Sequence, residues 1–436
     1  MNNSSFSHFV SDFLHEEYRV YHHASGLDIY IFPKEMTTTY ALFGTKYGSI
    51  HNRFCPDESS VPITVPDGIA HFLEHKLFTC EDGSDAFERF SEYGADANAY
   101  TSFNKTCYLF SCTDNFEKSL GELLDFVTHP YFTEESVKKE VGIISEEIRM
   151  YDDNPSDRCY YGMLEAMYQS HSIRRNICGS VDSISRITPE LLYSCYQSFY
   201  CLSNMALVVC GNVTDENILD IANRIFPTKK SADEPILCVN ENAEELPTVA
   251  QHKRTQRMQV SKPLFNIGIK DVNIPSDGIS RQRKDAAMSI LDEMLFSRAG
   301  RLYNRLIEKN MISPSLSYGY SISESTAYNS IAGEADDPDA VLDEILAFLK
   351  QTKKDGLCEE DFLRGKRVML AEFIKSFDST DSIANNLFSF VCEDCEMFTY
   401  AKLLEEVTFD DVKALLHSEF SEDAIAISVI LPLEHT

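Results

Sequence analysis

His71, Glu74 and His75 stand in the stretch GIAHFLEHKLF, residues 68–78, where every other residue except Lys76 is apolar or glycine. Positions i, i+3 and i+4 share one face of a helix. A helix here would aim two imidazoles at one point, as two ligands of a tetrahedral Zn²⁺ require, and would hold Glu74 on the adjoining face, within reach of a metal-bound water. Catalytic zinc usually takes three protein ligands and keeps a fourth position for water. Candidates for the third ligand lie in VKKEVGIISEEIRMYDDNP, residues 137–155. Read as a helix with Ile143, Ile144 and Ile148 on its buried side, this segment nearly eclipses Glu140 and Glu147, seven residues apart, and turns Glu146 about 100° away. Two eclipsed acids suit one ligand and one group that supports a ligand. The spacing leaves open which acid does which, and a solvated acidic face would give the same pattern.

The elements that must position these groups belong to a duplicated plan. Thr188-Pro189 opens a helix that runs into a strand at Met205–Val209, and Thr408, 220 residues later, opens the same helix-then-strand sequence towards Ile425. TEESVKKE from Thr133 matches CEEDFLRG from Cys358 at an offset of 225, and AHFLEHKLF from Ala70 matches MSILDEMLF from Met288 at 218. Three matches in one order at nearly constant offset indicate internal duplication. In the last pair Leu73, Leu77 and Phe78 meet Leu291, Leu295 and Phe296, whereas His71, Glu74 and His75 meet Ser289, Asp292 and Glu293. The apolar positions persist and the histidines do not, so the histidines answer to something other than the fold.

Each half mixes strands and helices. YRVYHHASGLDIYIF reads as a hairpin around Ser25-Gly26, CYLFSCT and residues 95–103 (ADANAYTSF) read as strands, and helices are expected near 85–93, 115–127, 134–151 and 188–200. The fold class is α+β: two homologous domains, each a largely antiparallel sheet packed with helices. Residues 1–228 would form a catalytic domain, 229–252 a linker rich in charge, Pro and Asn, and 253–436 a homologous non-catalytic domain.

Bulk properties narrow the function classes. With 43% hydrophobic and 25% charged residues in a 436-residue chain, the composition is that of a soluble globular protein of about two domains. A formal net charge of −30 repels phosphate backbones and anionic lipid, so neither nucleic acid nor membrane is expected as a partner. No basic n-region and apolar h-region open the chain, which makes the cytosol the expected compartment. Thirteen cysteines without framework spacing read as reduced core thiols, and Cys392-x-x-Cys395 has no second pair to complete a zinc site. His22, His23 and His51 are expected to be exposed turn residues. Nucleotide-binding glycine motifs are absent.

Taken together, GIAHFLEHKLF, EYGADANAYTSFNKTCYLFS and EVGIISEEIRMYDDNP resemble the zinc peptidases of the pitrilysin/insulinase (inverzincin) family. The likeness is to its half-length bacterial members, related to the processing-peptidase β subunit, and it runs from about residue 18 to 213. It implies a zinc metalloendopeptidase with one Zn²⁺ per chain held by His71, His75 and Glu147. Glu74 would be the general base, and Glu140 would orient a ligand. The strand over 95–103 would pair with the substrate backbone, contacting it through Asn98, Ala99 and Tyr100. Family members with four domains close a chamber around oligopeptides or unfolded polypeptides, and their second half supplies an Arg and a Tyr seven apart. This chain has no Arg-x₆-Tyr after residue 252, which implies a homodimer, or a heterodimer with a related chain lacking the motif. The alternatives are a non-catalytic structural or chaperoning subunit, or a dedicated processing peptidase for a ribosomally made peptide.

Overall fold

A computed structural model describes residues 6–56, 61–226 and 245–434. The first large sheet contains β1 (Phe6–Ser11), β2 (Glu16–His22), β3 (Asp28–Pro33), β4 (Thr39–Thr45), β5 (Asp96–Thr101), β6 (Thr106–Cys112) and β7 (Met205–Gly211). Their spatial order is β1-β2-β3-β7-β4-β6-β5. The second contains β8 (Lys253–Met258), β9 (Leu264–Asp271), β10 (Leu316–Ile322), β11 (Ala327–Glu334) and β12 (Ile425–Pro432), in the order β8-β12-β9-β11-β10. Both are antiparallel except for the pairs β3/β7 and β8/β12. With the hairpin partners β1 and β2 set aside, both sheets have the same strand order, and the one parallel pair joins the same two strands. That shared topology is the physical content of the sequence repeat. The central strands β4 and β7 are buried at every position, as expected of strands covered on both faces.

The helices confirm the alignment. Those most relevant to the site are α1 (Ile69–Leu77), α2 (Glu134–Asp152), α3 (Pro155–Met167), α4 (Pro189–Phe199), α5 (Gly278–Phe296), α6 (Glu359–Lys375), α7 (Thr380–Cys392) and α8 (Phe409–Ser418). Thr188 and Thr408 cap α4 and α8 by accepting the N–H of Leu191 and Asp411 at 3.4 and 3.2 Å, the satisfaction that an N-cap hydroxyl provides. Helices at Ala86–Tyr93 and Phe116–Thr128 complete the expected set. In α2 the buried stripe is Val137, Ile144, Ser145 and Ile148. Ile143, expected inside, is 49% exposed, because the stripe follows i, i+4 and i+7 from Val137 and Ile144 and leaves position 143 a helical step outside it.

The compact units interleave along the chain. One contains the described residues up to Ile148, those within 176–241, and Ser376–Cys392; the other contains Arg149–Arg175, the described residues within 242–375, and those from 393 onward. Thus the expected division describes the duplicated sequence, while each packing unit includes one helix from the other repeat. Helix α7 packs on β7 and β4, and its counterpart α3, 225 residues earlier, packs on β12, β9 and β8. Matched glycines make room for them. Gly44 pairs with Ala206 as Gly268 pairs with Ala426. A β-carbon at Gly44 would overlap the Phe388 ring of α7, and one at Gly268 would overlap Met163 and Met167 of α3.

Of the expected linker, residues 229–244 lie outside the described residues, and the rest is not loose. Glu245 accepts the N–H groups of Gln169, Ser170 and His171 at 2.8, 2.8 and 3.0 Å and pairs with buried Lys270 at 3.3 Å. Burial would raise its carboxyl, but those N–H groups and the Lys270 charge hold it below the usual value.

Replacing Gly44 by alanine forces a rigid, fully buried ring aside and should destabilise by roughly 1–3 kcal/mol. Gly268→Ala meets flexible methionines and should cost less. Urea unfolding midpoints of the two variants test the order; a larger loss for Gly268→Ala would refute this packing account.

Candidate metal centre

Helix α1 begins at Gly68, whose φ of 91° is left-handed, and it is buried nearly all round. Ile69, Ala70, Phe72, Leu73 and Leu77 lie in the core, and they carry His71 and Glu74 inward with them, 8% and 7% exposed. Helix α2 brings Glu147 between the two imidazoles. Its Oε1 is 3.6 Å from His71 Nε2 and its Oε2 is 3.4 Å from His75 Nε2. One ligand atom from each of the three residues lies within 4.8 Å of the others. Ligands about 2.1 Å from one tetrahedral ion stand about 3.4 Å apart, so the donor set of two imidazoles and a carboxylate fits zinc in both chemistry and spacing. Among the described residues no other such group of three occurs. Glu146 is exposed and outside it.

Behind the ligands stands a second layer. His75 Nδ1 is 3.2 Å from Glu140 Oε1, which leaves Nε2 turned to the centre. Lys76, 1% exposed, reaches to 3.7 Å of Glu140 Oε2 and donates to Thr79 Oγ1 at 3.1 Å. Burial would raise the Glu140 carboxyl, but the His75 hydrogen bond and the Lys76 charge outweigh it and hold it low. Burial would likewise lower His75, yet the hydrogen bond to Glu140 and the charges of Glu74 and Glu147 raise it. His71 Nδ1 is buried and makes no hydrogen bond to protein, so a bond at Nε2 would be this ring's polar anchor.

Glu74 is placed differently. Its Oε2 accepts from Thr101 Oγ1 at 2.6 Å, and burial raises its carboxyl more than that bond and the His71 charge lower it. Thr101 ends β5, the edge strand of its sheet. On β5, Asn98 is exposed and its Oδ1 accepts the Ala99 N–H at 2.9 Å. The Tyr100 hydroxyl donates to Asn385 Oδ1 of α7 at 2.8 Å, and burial raises it.

Two further expectations change. His23 is buried, with Nδ1 2.7 Å from Ser25 Oγ and Nε2 3.2 Å from Asn223 Oδ1. His51 accepts the Gly48 N–H at 2.9 Å, lies beside Tyr47 and Phe199, and is lowered to about 4 by burial. Both close local turns by side-chain bonds that residue type alone does not announce. His22 remains exposed, paired with Asp28 at 2.6 Å. Six of the twelve described cysteines are buried, so the core reading holds for those six. Sequence reasoning missed Thr101 and Lys76. For Lys76 a signal existed, because the repeat places Met294 there, showing that an amine is not needed by the fold.

Comparison with known proteins gives a consistent picture. Residues 65–180 match the family profile for Insulinase (Peptidase family M16), and residues 186–369 match that for the Peptidase M16 inactive domain. A Bacillus subtilis protein named "Uncharacterized zinc protease YmfH" is 39% identical over 410 residues, 94% of this chain and 95% of that one. A solved structure, "Crystal structure of putative M16-like peptidase from Alicyclobacillus acidocaldarius", superposes with a TM-score of 0.91 at 33% identity, covering 96% of this chain and 99% of that one. A Helicobacter pylori protease shares the fold, with a TM-score of 0.80 at 18% identity over 98% of this chain and 100% of that one.

Competition against a chelator of known affinity should separate the three acids. Glu147→Gln should lose zinc most severely, Glu140→Gln about 10- to 100-fold, and Glu146→Gln not at all. A larger loss for Glu146→Gln than for Glu147→Gln would displace Glu147 as the ligand.

Proposed function

This chain belongs to the insulinase family, peptidase family M16, and we infer that it is a zinc-dependent metallopeptidase that hydrolyses peptide bonds of oligopeptides or unfolded polypeptides. The observation that carries this reading is the convergence of His71, His75 and Glu147, with Glu74 beside them and fixed by Thr101. His71, His75 and Glu147 would hold one zinc ion, and Glu140 would keep His75 in the tautomer that presents Nε2. When bound, zinc supplies the acidity that brings a water molecule towards ionisation near pH 7 and the charge that polarises an amide carbonyl. Glu74 would take the proton of the attacking water and deliver it to the leaving amine. The burial that raises its carboxyl favours a group able to carry a proton between those two sites. Substrate would add to the edge of β5 as a further strand, held by main-chain hydrogen bonds with little side-chain selectivity. Asn98, Ala99 and Tyr100 would border it, with the Tyr100 hydroxyl anchored on Asn385.

The second repeat carries no such centre among the described residues. Asp292, at the position of Glu74, accepts from Asn329 Nδ2, and Glu293, at that of His75, accepts from Tyr318 at 2.6 Å. A non-catalytic, chaperoning subunit would tolerate that loss in both repeats; the intact cluster in the first favours the peptidase. We assign the missing substrate-facing Arg and Tyr to a second subunit, a copy or a relative, closing the chamber, and we place the pair in the cytosol. No described helix is long and apolar enough to cross a membrane.

Zinc-loaded protein should cleave internally quenched peptides and sediment at the mass of a dimer. Glu74→Gln should keep one zinc per chain and lose about 10²- to 10⁴-fold in kcat. Undiminished turnover in that variant would refute the assignment of Glu74 as the base.

A further inference from the structure

The segment at the end of the first family match lies against the start of α1. Gly68 and Gly179 are both left-handed, at φ of 91° and 73°. A β-carbon on Gly68 would overlap the Cys178 carbonyl, and one on Gly179 would overlap that of Asp67. Ser183 Oγ donates to the Asp67 carbonyl at 2.7 Å, and the Cys178 N–H is taken by Asn176 Oδ1 at 2.9 Å. This close approach sets the Cys178 thiol 3.8 Å from His71 Nε2, the nitrogen that also faces Glu147 at 3.6 Å.

That spacing is close to the one two ligands of a single ion would show. A nitrogen at about 2.0 Å and a sulfur at about 2.3 Å from one tetrahedral zinc stand about 3.5 Å apart. Cys178 stands slightly beyond this distance from His71 and outside the tight group formed by His71, His75 and Glu147, a set of three ligands that leaves a fourth position to fill. The thiol is 5% exposed, so bulk solvent does not compete strongly for the sulfur where it rests. The convergent donor set and the thiol placed against one of its atoms are separate observations, and both point to the same ion.

We propose that Cys178 is a reserve fourth ligand, closing the open coordination position in a resting form and withdrawing when water and substrate occupy it. This rests on the reading of His71, His75 and Glu147 as the zinc site. On ligation the Sγ–H proton passes to solvent and a sulfur electron pair takes the position that water holds in the working form. Release reverses both changes, and nothing is oxidised or reduced.

Zinc K-edge X-ray absorption on the full chain loaded with one zinc, without peptide, tests this directly. The expected spectrum has three nitrogen or oxygen scatterers and one sulfur at about 2.3 Å, with the sulfur lost in Cys178→Ala and in Cys178→Ser. Cobalt in place of zinc should show a sulfur-to-metal charge-transfer band that both variants abolish and that saturating peptide diminishes. One bound zinc with only nitrogen and oxygen neighbours in the unmodified chain overturns the proposal and leaves the zinc site standing. A sulfur shell that survives in both variants overturns it as well. Failure to bind one zinc per chain, or binding indifferent to Glu147→Gln, overturns the underlying reading instead.

Discussion

The structure around the site depends on one carboxylate reaching between two imidazoles. His71 and His75 are a turn apart on α1 and can point at one place without help, but two nitrogens do not hold an ion open to chemistry. Glu147 meets both at once, at 3.6 and 3.4 Å, only because α2 runs beside α1 with its Val137, Ile144 and Ile148 stripe in the core. The apolar stripe and the acidic face of α2 are therefore parts of one device. Packing fixes the helix, and the fixed helix puts a charge where an exposed one would be solvated and of little consequence. Burial sharpens the effect, since a charge in a low-dielectric site interacts more strongly with its partners than one in water.

The second repeat shows what the same scaffold does without that device. At the equivalent turn of α5, Asp292 is buried and both of its oxygens accept from Asn329 Nδ2 at 2.7 and 2.6 Å; burial pushes its carboxyl well up in spite of those bonds. Glu293 is met by the Tyr318 hydroxyl. Hydrogen-bond donors have taken the places that a metal would fill, and the polar groups are satisfied. The first repeat instead keeps His71 Nδ1 buried without a protein partner and Lys76 nearly fully buried beside Glu140. A buried imidazole nitrogen without a hydrogen bond costs stability unless something at the ring's other nitrogen offsets it.

Which parts of this were legible beforehand follows from how local each signal is. The His71–His75 geometry, the eclipsed Glu140 and Glu147, the threonine caps at 188 and 408 and the repeated offsets depend on neighbours along the chain, and all appear in the structure. Which acid is the ligand was read through family resemblance rather than spacing, and Glu147 takes the place between the imidazoles. Long-range features were not legible. Thr101 is 27 residues from Glu74, Cys178 is 107 from His71, and no periodicity connects them. His23 and His51 were misjudged because a histidine that closes its own turn looks, in sequence, like any exposed histidine.

The exchanged helices were also beyond reach of local pattern, and they bear on why a repeat without the histidine pair is retained. Helix α7 comes from the second half of the chain yet covers β4 and β7 of the first sheet. Its Asn385 donates to the Tyr40 hydroxyl at 3.0 Å and accepts from Tyr100 on β5 at 2.8 Å, while Ser389 meets Lys105 in the turn beyond. The edge strand β5, and Thr101 at its end holding Glu74, are thereby braced by residues encoded nearly 300 positions later. A chain cut after the first repeat would expose the face of Gly44 and leave Tyr100 without that partner. The second repeat is then part of the first sheet's packing in a material sense: it contributes one wall of the core on which Glu74 and Thr101 are positioned.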